Sequence, residues 1–353
     1  MKHICTRCNR ISVDGNLWCQ EKSCPAENTP EIFESGEWLG NIEIVKLVAV
    51  LRSSAVYEAR RDGNMVLLKV SHEGFQEKLK REAQALLNLS KGHSHPMLPR
   101  LLPAYAQASL ADFPYGKVAF GAKQKYYLVF EYQEGELLRD ILNRTPQPWY
   151  QDVGWLVISL ADVILNLNQA GRLHLCLSPE MVLVNFDNQR VPRPMLLDLG
   201  LADGAQDLRS TWDRRFVPPA YTAPELIELK GKIGPATEVY GLGLLLYEML
   251  AGHPVHEFRS QRDEDVYNAV LNHLPANPGR ADLKNIPEIA LAAIQKDYES
   301  RYKSVVDFAR DLQHNFRPVP KVKKQVKVNW RYMLIGVAVL LAISLLVVLA
   351  TML

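Results

Sequence analysis

HLCLSPEMVLVNFDNQRVPRPMLLDLG, residues His174 to Gly200, decides how the rest of the chain is read. Two short apolar runs flank a turn, and a second loop ends in Asp198-Leu199-Gly200. The first loop places His174, Leu175, Cys176, Leu177, Ser178, Pro179, Glu180 and Met181 in succession.

Outward from this stretch, the chain changes character at residue 133. Before it lie strand-like runs: Ile42 to Leu51, Ala55 to Ala59, Met65 to Val70, Tyr115 to Phe120 and Tyr126 to Tyr132. Arg61-Asp62-Gly63-Asn64 between two of them is a hairpin signal. An amphipathic helix is predicted over about Gly74 to Leu89, with Phe75, Leu79, Ala83, Leu86 and Leu87 on one face. After residue 133 the pattern turns helical: Trp155 to Gln169, Ala236 to Ala251, Val266 to Leu274, Ile286 to Gln295 and Ser304 to His314. A sheet-rich first lobe followed by a helical second lobe is an α+β layout.

The 353 residues suffice for two domains, or for one large domain with appendages. A net charge of +2 is too small to argue for a nucleic-acid partner. The charge is unevenly placed, however. Arg317, Lys321, Lys323, Lys324, Lys327 and Arg331 form a basic segment without an acid. Residues 333–353 then carry no charge. At about 1.5 Å per residue this run would cover roughly 30 Å, the thickness of a bilayer core. Trp330 and Tyr332 fall where an interfacial aromatic belt would be. The basic flank predicts a single-pass, tail-anchored membrane protein with its N-terminal domains in the cytoplasm. MKHICTRC at the start lacks the apolar core of a signal peptide.

Four of the five cysteines, Cys5, Cys8, Cys19 and Cys24, lie in residues 1–25 with the pattern C-x2-C, ten residues, C-x4-C. Two tight pairs across a hairpin-sized spacer suit a structural Zn2+, each pair offering two thiolates from one knuckle. A segment this short cannot bury a core, and metal binding can supply its folding energy. Two disulfides or an unstructured tail are the other readings, and a cytoplasmic location argues against disulfides. The segment resembles the small zinc ribbons at the ends of many bacterial regulatory proteins. Residues 26–39, acidic and carrying Pro30 and Gly36, read as a linker.

Residues of about 40–316 resemble the eukaryotic-type protein kinases, on motifs that occur in the family's order. The loop from His174 to Met181 occupies the place of the catalytic loop His-Arg-Asp-Leu-Lys-Pro-Glu-Asn. Lys69 matches the strand lysine that holds the nucleotide phosphates, and Glu82, 13 residues on, matches its ion-pair partner. Glu131-Tyr132-Gln133 matches the hinge whose main chain would face adenine, with Phe130 as gatekeeper. Asp198 matches the metal-holding aspartate. Ala223-Pro224-Glu225 closes the activation segment, and Arg301 matches the arginine that pairs with that glutamate. The resemblance implies a bilobal fold, with an N-lobe of about 40–132 and a C-lobe of about 133–316.

The same comparison exposes an ordered set of gaps. Cys176 stands where the family has its catalytic aspartate, and a thiol supplies neither the fixed charge nor the acceptor pair of a carboxylate. Ser178 replaces the loop lysine. Met181 replaces the second metal ligand, and a thioether holds a hard cation poorly. Leu175 replaces the loop arginine and Pro218 the threonine beside Tyr221. The three glycine places of the phosphate loop hold Ala49, Leu51 and Ser54, and the alanine that lies against adenine is Leu67.

The resulting expectation is a membrane-anchored pseudokinase: a signalling scaffold or regulatory module with protein partners, no catalytic residues and a vestigial nucleotide site of Lys69, Glu82, Glu131, Gln133 and Asp198. ATP with Mg2+ would bind weakly if at all. The competing expectations are an atypical active Ser/Thr kinase with Asp187 or Asp203 standing in as base, a thiol enzyme built on Cys176, and a zinc ribbon that does the work with the kinase fold as spacer.

Overall fold

A computed structural model of the chain describes residues 2–8, 10–12, 19, 24, 29–199, 208–258, 261–283 and 285–316. The basic segment 317–331, the apolar run 333–353, Gly200 and Asp203 lie outside the described residues. Among the described residues no helix is long and apolar enough to cross a membrane.

Three short strands, β1 (Lys2–Ile4), β2 (Ile11–Ser12) and β3 (Glu31–Ile32), make a small antiparallel sheet in the order β2-β1-β3. The segment read as a linker therefore supplies structure. Its Glu31 and Ile32 pair with His3 and Lys2, and Phe33 is buried behind them. The same segment also forms β4 (Trp38–Leu39), the first strand of the next sheet. Apolar Ile32, Phe33 and Leu39 are the signal that its acidic residues masked.

β4 runs into β5 (Ile42–Val50), β6 (Ser54–Arg61) and β7 (Asn64–Ser71), which pair in sequence, antiparallel throughout. The turn between β6 and β7 has Asp62 at φ 50° and Gly63 at φ 82°, both left-handed as a type I′ hairpin requires. The helix α1 (Gln76–Leu89) follows, then β8 (Leu101–Leu102), β9 (Gly116–Phe120) and β10 (Lys123–Glu131). β10 lies against β7 and completes a seven-stranded sheet with α1 at its side. Phe75, Leu79, Ala83 and Leu86 are buried as the periodicity predicts, whereas Leu87 is half-buried. The buried stripe also holds Lys78 and Glu82.

The second lobe begins with β11 (Glu136–Leu137), α2 (Leu138–Arg144) and α3 (Tyr150–Gln169). β12 (Val182–Phe186) and β13 (Pro192–Leu196) make a small sheet with β11 and carry the quoted loops. The helices α4 (Leu208–Thr211) and α5 (Pro224–Glu228) bracket the segment that follows. Next come α6 (Pro235–Ala251), α7 (Asp263–Asn272), α8 (Ile286–Ala293) and α9 (Val305–Asn315). α6 is buried on every side, as a helix without a polar face must be. Proline at its first turn and Gly252 at φ 81° just past its end set its limits. α3, α8 and α9 pack around it.

Candidate functional site

The catalytic-loop place is built around a buried carboxylate. Glu238, on α6 and 1% exposed, accepts the main-chain N–H groups of His174 and, at 3.1 Å, Leu175. Leu175 sits at φ 61°, a left-handed conformation that costs a branched residue about 1 kcal/mol or more and that this anchoring holds. Burial lifts the Glu238 carboxyl to about 7, against the pull of those N–H donors. The His174 Nε2–H donates to the carbonyl of Asp198 at 2.7 Å, which leaves Nδ1 as acceptor. Cys176 supplies both groups facing Nδ1, its N–H at 3.4 Å and its thiol at 3.6 Å.

That arrangement disposes of Cys176 as a reactive group. The side chain is fully buried, and burial pushes its thiol well above the ordinary range. His174 is equally buried and its imidazole falls to about 4, so it is neutral and cannot stabilise a thiolate. The thiol-enzyme expectation fails on both counts. Asp187, offered as a substitute base, spends its carboxylate on a turn. It accepts from the N–H groups of Gln189 (2.8 Å) and Val191 (2.9 Å) and pairs with Arg193 at 2.8 Å. Met181 places its thioether in the apolar core and holds the metal loop by its main chain, its carbonyl accepting from Leu197 N–H at 2.8 Å.

Lys69, Glu82 and Asp198 are brought together as the resemblance implies. The Lys69 ammonium lies 2.5 Å from Glu82, 3.0 Å from the Leu197 carbonyl and 3.5 Å from Asp198. Burial alone would lower the Lys69 pKa, but the charges of Asp198 and Glu82 outweigh it and raise it. The second Glu82 oxygen accepts from Leu199 N–H at 3.0 Å, which ties helix α1 to the metal loop.

A fourth member was missed in the sequence. Lys78, four residues before Glu82 on the same stripe of α1, donates to both Asp198 carboxylate oxygens at 2.6 and 2.8 Å and to Ser53 Oγ at 3.0 Å. It is 3% exposed. Its signal was an i, i+4 lysine–glutamate pair, obscured because such pairs usually sit on solvated faces. Two ammonium groups now face two carboxylates, and the site is neutral. A divalent cation needs oxygen ligands around 2.0–2.6 Å that are free to turn towards it. Asp198 has both oxygens bonded to Lys78 and the second ligand place is Met181, so these residues do not fit Mg2+.

Apolar, buried residues stand at the adenine and phosphate-loop places. Val56, Leu67, Phe130 and Leu183 are each at most 3% exposed and join one apolar cluster that runs from the sheet into the second lobe. Ala49 and Leu51 belong to the same cluster. Glu131 and Gln133 were named for their main chain; both side chains are exposed, and Glu131 faces Arg100 at 3.5 Å. The turn in place of the phosphate loop is pinned on several sides. Leu51 N–H donates to the Ser54 carbonyl (2.8 Å), and His72 donates to the Leu51 carbonyl through Nε2 (3.0 Å). Arg52 pairs with Asp263 (2.7 Å), at the start of α7.

The supporting ion pairs match the resemblance. Arg301 meets both oxygens of Glu225 at 2.8 and 2.9 Å and stacks over Tyr240. On the cleft's lower face Arg139 joins Glu180 (2.7 Å), Glu248 (2.6 Å) and the Tyr221 hydroxyl (2.5 Å). Sequence reading did not assign Arg139 or Glu248.

The thiols of Cys5, Cys8, Cys19 and Cys24 all lie within 4.8 Å of one another, with Cys5–Cys24 at 3.6 Å and Cys8–Cys19 at 3.5 Å. Thiolates about 2.3 Å from one tetrahedral centre stand just under ~4 Å apart. A disulfide needs about 2.05 Å. The N–H groups of Arg7 and Cys8 donate to Cys5 Sγ at 3.4 and 3.5 Å, against a burial that pushes its thiol up. These four residues could hold a metal ion.

With the bilobal architecture and the Lys69–Glu82–Asp198 arrangement in place, comparison with known proteins gives the class. Residues 52–315 match the model of the protein kinase domain family. The chain belongs to that family. It is 25% identical over 248 residues to a probable serine/threonine-protein kinase of Corynebacterium efficiens, covering 68% of this chain and 34% of that one. It is 26% identical to a probable serine/threonine-protein kinase of Clostridium perfringens (83% of this chain, 40% of that one). Serine/threonine-protein kinase PknB of Mycobacterium tuberculosis is also 26% identical, with 82% and 44% covered. The chain thus spans less than half the length of these relatives. The crystal structure of a cysteine-to-alanine mutant of the Mycobacterium tuberculosis PknI kinase domain superposes with a TM-score of 0.54 at 18% identity, covering 81% of this chain and 99% of that one. At that identity the likeness speaks for the fold.

Proposed function

We propose that this protein is a pseudokinase: a kinase-fold module that binds protein partners and transfers no phosphate. The observation that carries the reading is the Lys78 ammonium on both oxygens of Asp198, where a catalytic kinase needs its metal. Around it the base is a buried thiol, the second metal ligand a buried thioether, and the purine space is taken by Leu67 and its neighbours. Each such loss removes orders of magnitude from a reaction that consists almost wholly of positioning and charge stabilisation. Cys5, Cys8, Cys19 and Cys24 would bind a structural Zn2+. The apolar run 333–353 with its basic flank would anchor the chain in a membrane, the folded part on the cytoplasmic side.

One observation favours the competing reading of an atypical active Ser/Thr kinase: the Lys69–Glu82 pair is closed at 2.5 Å, as phosphate binding requires. Incubating the purified full chain with radiolabelled ATP, magnesium or manganese, and generic protein substrates separates the two. No incorporation is expected. Incorporation that Asp198→Ala abolishes would overturn the pseudokinase reading.

A further inference from the structure

We propose that the knuckle from Cys5 to Cys8 is a metal-controlled latch between the two lobes. The proposal rests on the reading of the four cysteines as a zinc site. The small sheet is held to the first lobe by apolar packing: Ile4, Ile32 and Phe33 share a buried cluster with Tyr57, Tyr127 and Val129. Lys125 on β10 adds an ion pair with Glu31 at 2.9 Å. Its hold on the second lobe is of a different kind. The Arg7 guanidinium, its side chain 6% exposed, pairs with the Asp263 carboxylate at the start of α7 and donates to the Phe258 carbonyl at 3.2 Å.

Asp263 is also the partner of Arg52, at 2.7 and 3.3 Å, in the turn that replaces the phosphate loop. One carboxylate of the second lobe therefore receives two arginines of the first-lobe assembly, one from the knuckle and one from the turn. Between them the knuckle, the turn and the second lobe enclose a cavity of about 570 Å³, lined among others by Thr6, Arg7, Arg52, Arg139, Ser178 and Phe258. The knuckle is a wall of the cleft.

Arg7 reaches Asp263 because its own main chain is fixed by a cysteine. The N–H groups of Arg7 and Cys8 bond the Cys5 sulfur, and Cys5 is fully buried. A bound metal holds this turn; with the metal gone, the sulfurs no longer share a centre and a knuckle this short has no core of its own to replace it. The apolar anchor of Ile4 and Phe33 on the first lobe stays. The polar contact to Asp263 does not, since its geometry depends on where Arg7 is presented. Metal release then withdraws Arg7 from Asp263 and from the Phe258 carbonyl and opens the cleft wall, while Arg52 keeps its own pair with Asp263, turning zinc occupancy into exposure of the interlobe surface.

Hydrogen exchange on the full chain in detergent micelles, with zinc content measured on the same samples, tests this. Stripping the metal with a chelator should speed exchange at residues 255–258 and 263–267 about tenfold, the scale of a lost charge-assisted contact, and leave residues 50–54 unchanged. Helix α6 should be unchanged. Arg7→Ala should retain its zinc and show the same acceleration, with Arg7→Lys recovering part of the protection. Protein that holds no zinc as purified overturns the metal control together with the zinc reading. Zinc that is present, with exchange at both segments unmoved by chelation or by Arg7→Ala, overturns the latch and leaves the zinc reading standing.

Discussion

The ammonium of Lys78 bonds both carboxylate oxygens of Asp198, at 2.6 and 2.8 Å, inside a site where each side chain is at most 3% exposed. A lysine held one helical turn from Glu82 thus supplies, from within the chain, the positive charge that the family takes from solution. Buried ion pairs of this kind carry large desolvation costs and persist where they fix one arrangement of the chain. Here the arrangement is the closed one, with helix α1, the metal loop and the turn at Ser53 held on a single charge cluster.

Lys78→Ala should lower stability by about 3–5 kcal/mol, the usual cost of removing one partner of a buried pair. It should also make the melting temperature sensitive to millimolar magnesium, because Asp198 regains oxygens that can turn towards a metal. The wild-type protein should show no such sensitivity. Thermal melts of both proteins across a magnesium series decide this, and equal insensitivity would show that Lys78 is not what excludes the metal.

Leu67 is the second obstruction. Leu67→Ala restores the family's residue and leaves a cavity, for a loss of about 2–5 kcal/mol. If the leucine occupies purine space, millimolar adenosine should raise the melting temperature of the variant and leave the wild type unmoved. A variant that ignores adenosine would place the obstruction elsewhere, on Leu51 or Val56.

The three buried imidazoles should take stability from the fold as pH falls from 6.5 to about 4. Burial lowers His72, His174 and His256 from 6.5 to about 4, so the folded protein binds fewer protons than the unfolded chain across that window. Their contribution is complete above the unfolded value and is lost as pH falls. Glu238, raised to about 7, acts in the opposite sense: its contribution is present at low pH and is lost as pH rises towards 7. Burial raises Glu82 and Glu248 in the same sense as Glu238, so the imidazole contribution is read from a histidine variant and not from the net slope. His72→Gln, whose amide can still donate to the Leu51 carbonyl, should shrink the fall in melting temperature over this range; an unchanged fall would remove His72 from the balance.

The full chain should remain in the membrane fraction through an alkaline carbonate wash, and a chain ending at residue 331 should not. Recovery of the full chain in the soluble fraction would contradict the anchor read from residues 333–353.

Much of this architecture was legible in the sequence, because the elements that carry it have strong periods. The β6–β7 hairpin followed from Asp62-Gly63, α6 from an apolar run bounded by Pro235 and Gly252, and the Arg301–Glu225 pair from the motif order. The site was half legible. Lys69, Glu82 and Asp198 were found by their resemblance to the kinase motifs, and Cys176 and Met181 by what they replace. Glu131 and Gln133 were named for a main-chain role, and their side chains point to solvent. Lys78, Arg52 and Arg7 stayed hidden for a shared physical reason. A cation on a surface-like pattern is ordinarily solvated, and only the fold brings each to a carboxylate 120, 211 or more residues away. The linker reading of residues 26–39 fell to the same blindness, since the partners of Glu31 and Ile32 are His3 and Lys2, near the start of the chain.

The central claim is that the chain's own side chains at the nucleotide and metal places exclude a nucleotide with its metal. A thermal-shift titration of the purified wild-type protein with ATP, with and without magnesium, addresses it most directly. No shift at millimolar nucleotide under either condition is the predicted result. A magnesium-dependent rise in melting temperature that Asp198→Ala removes would contradict it.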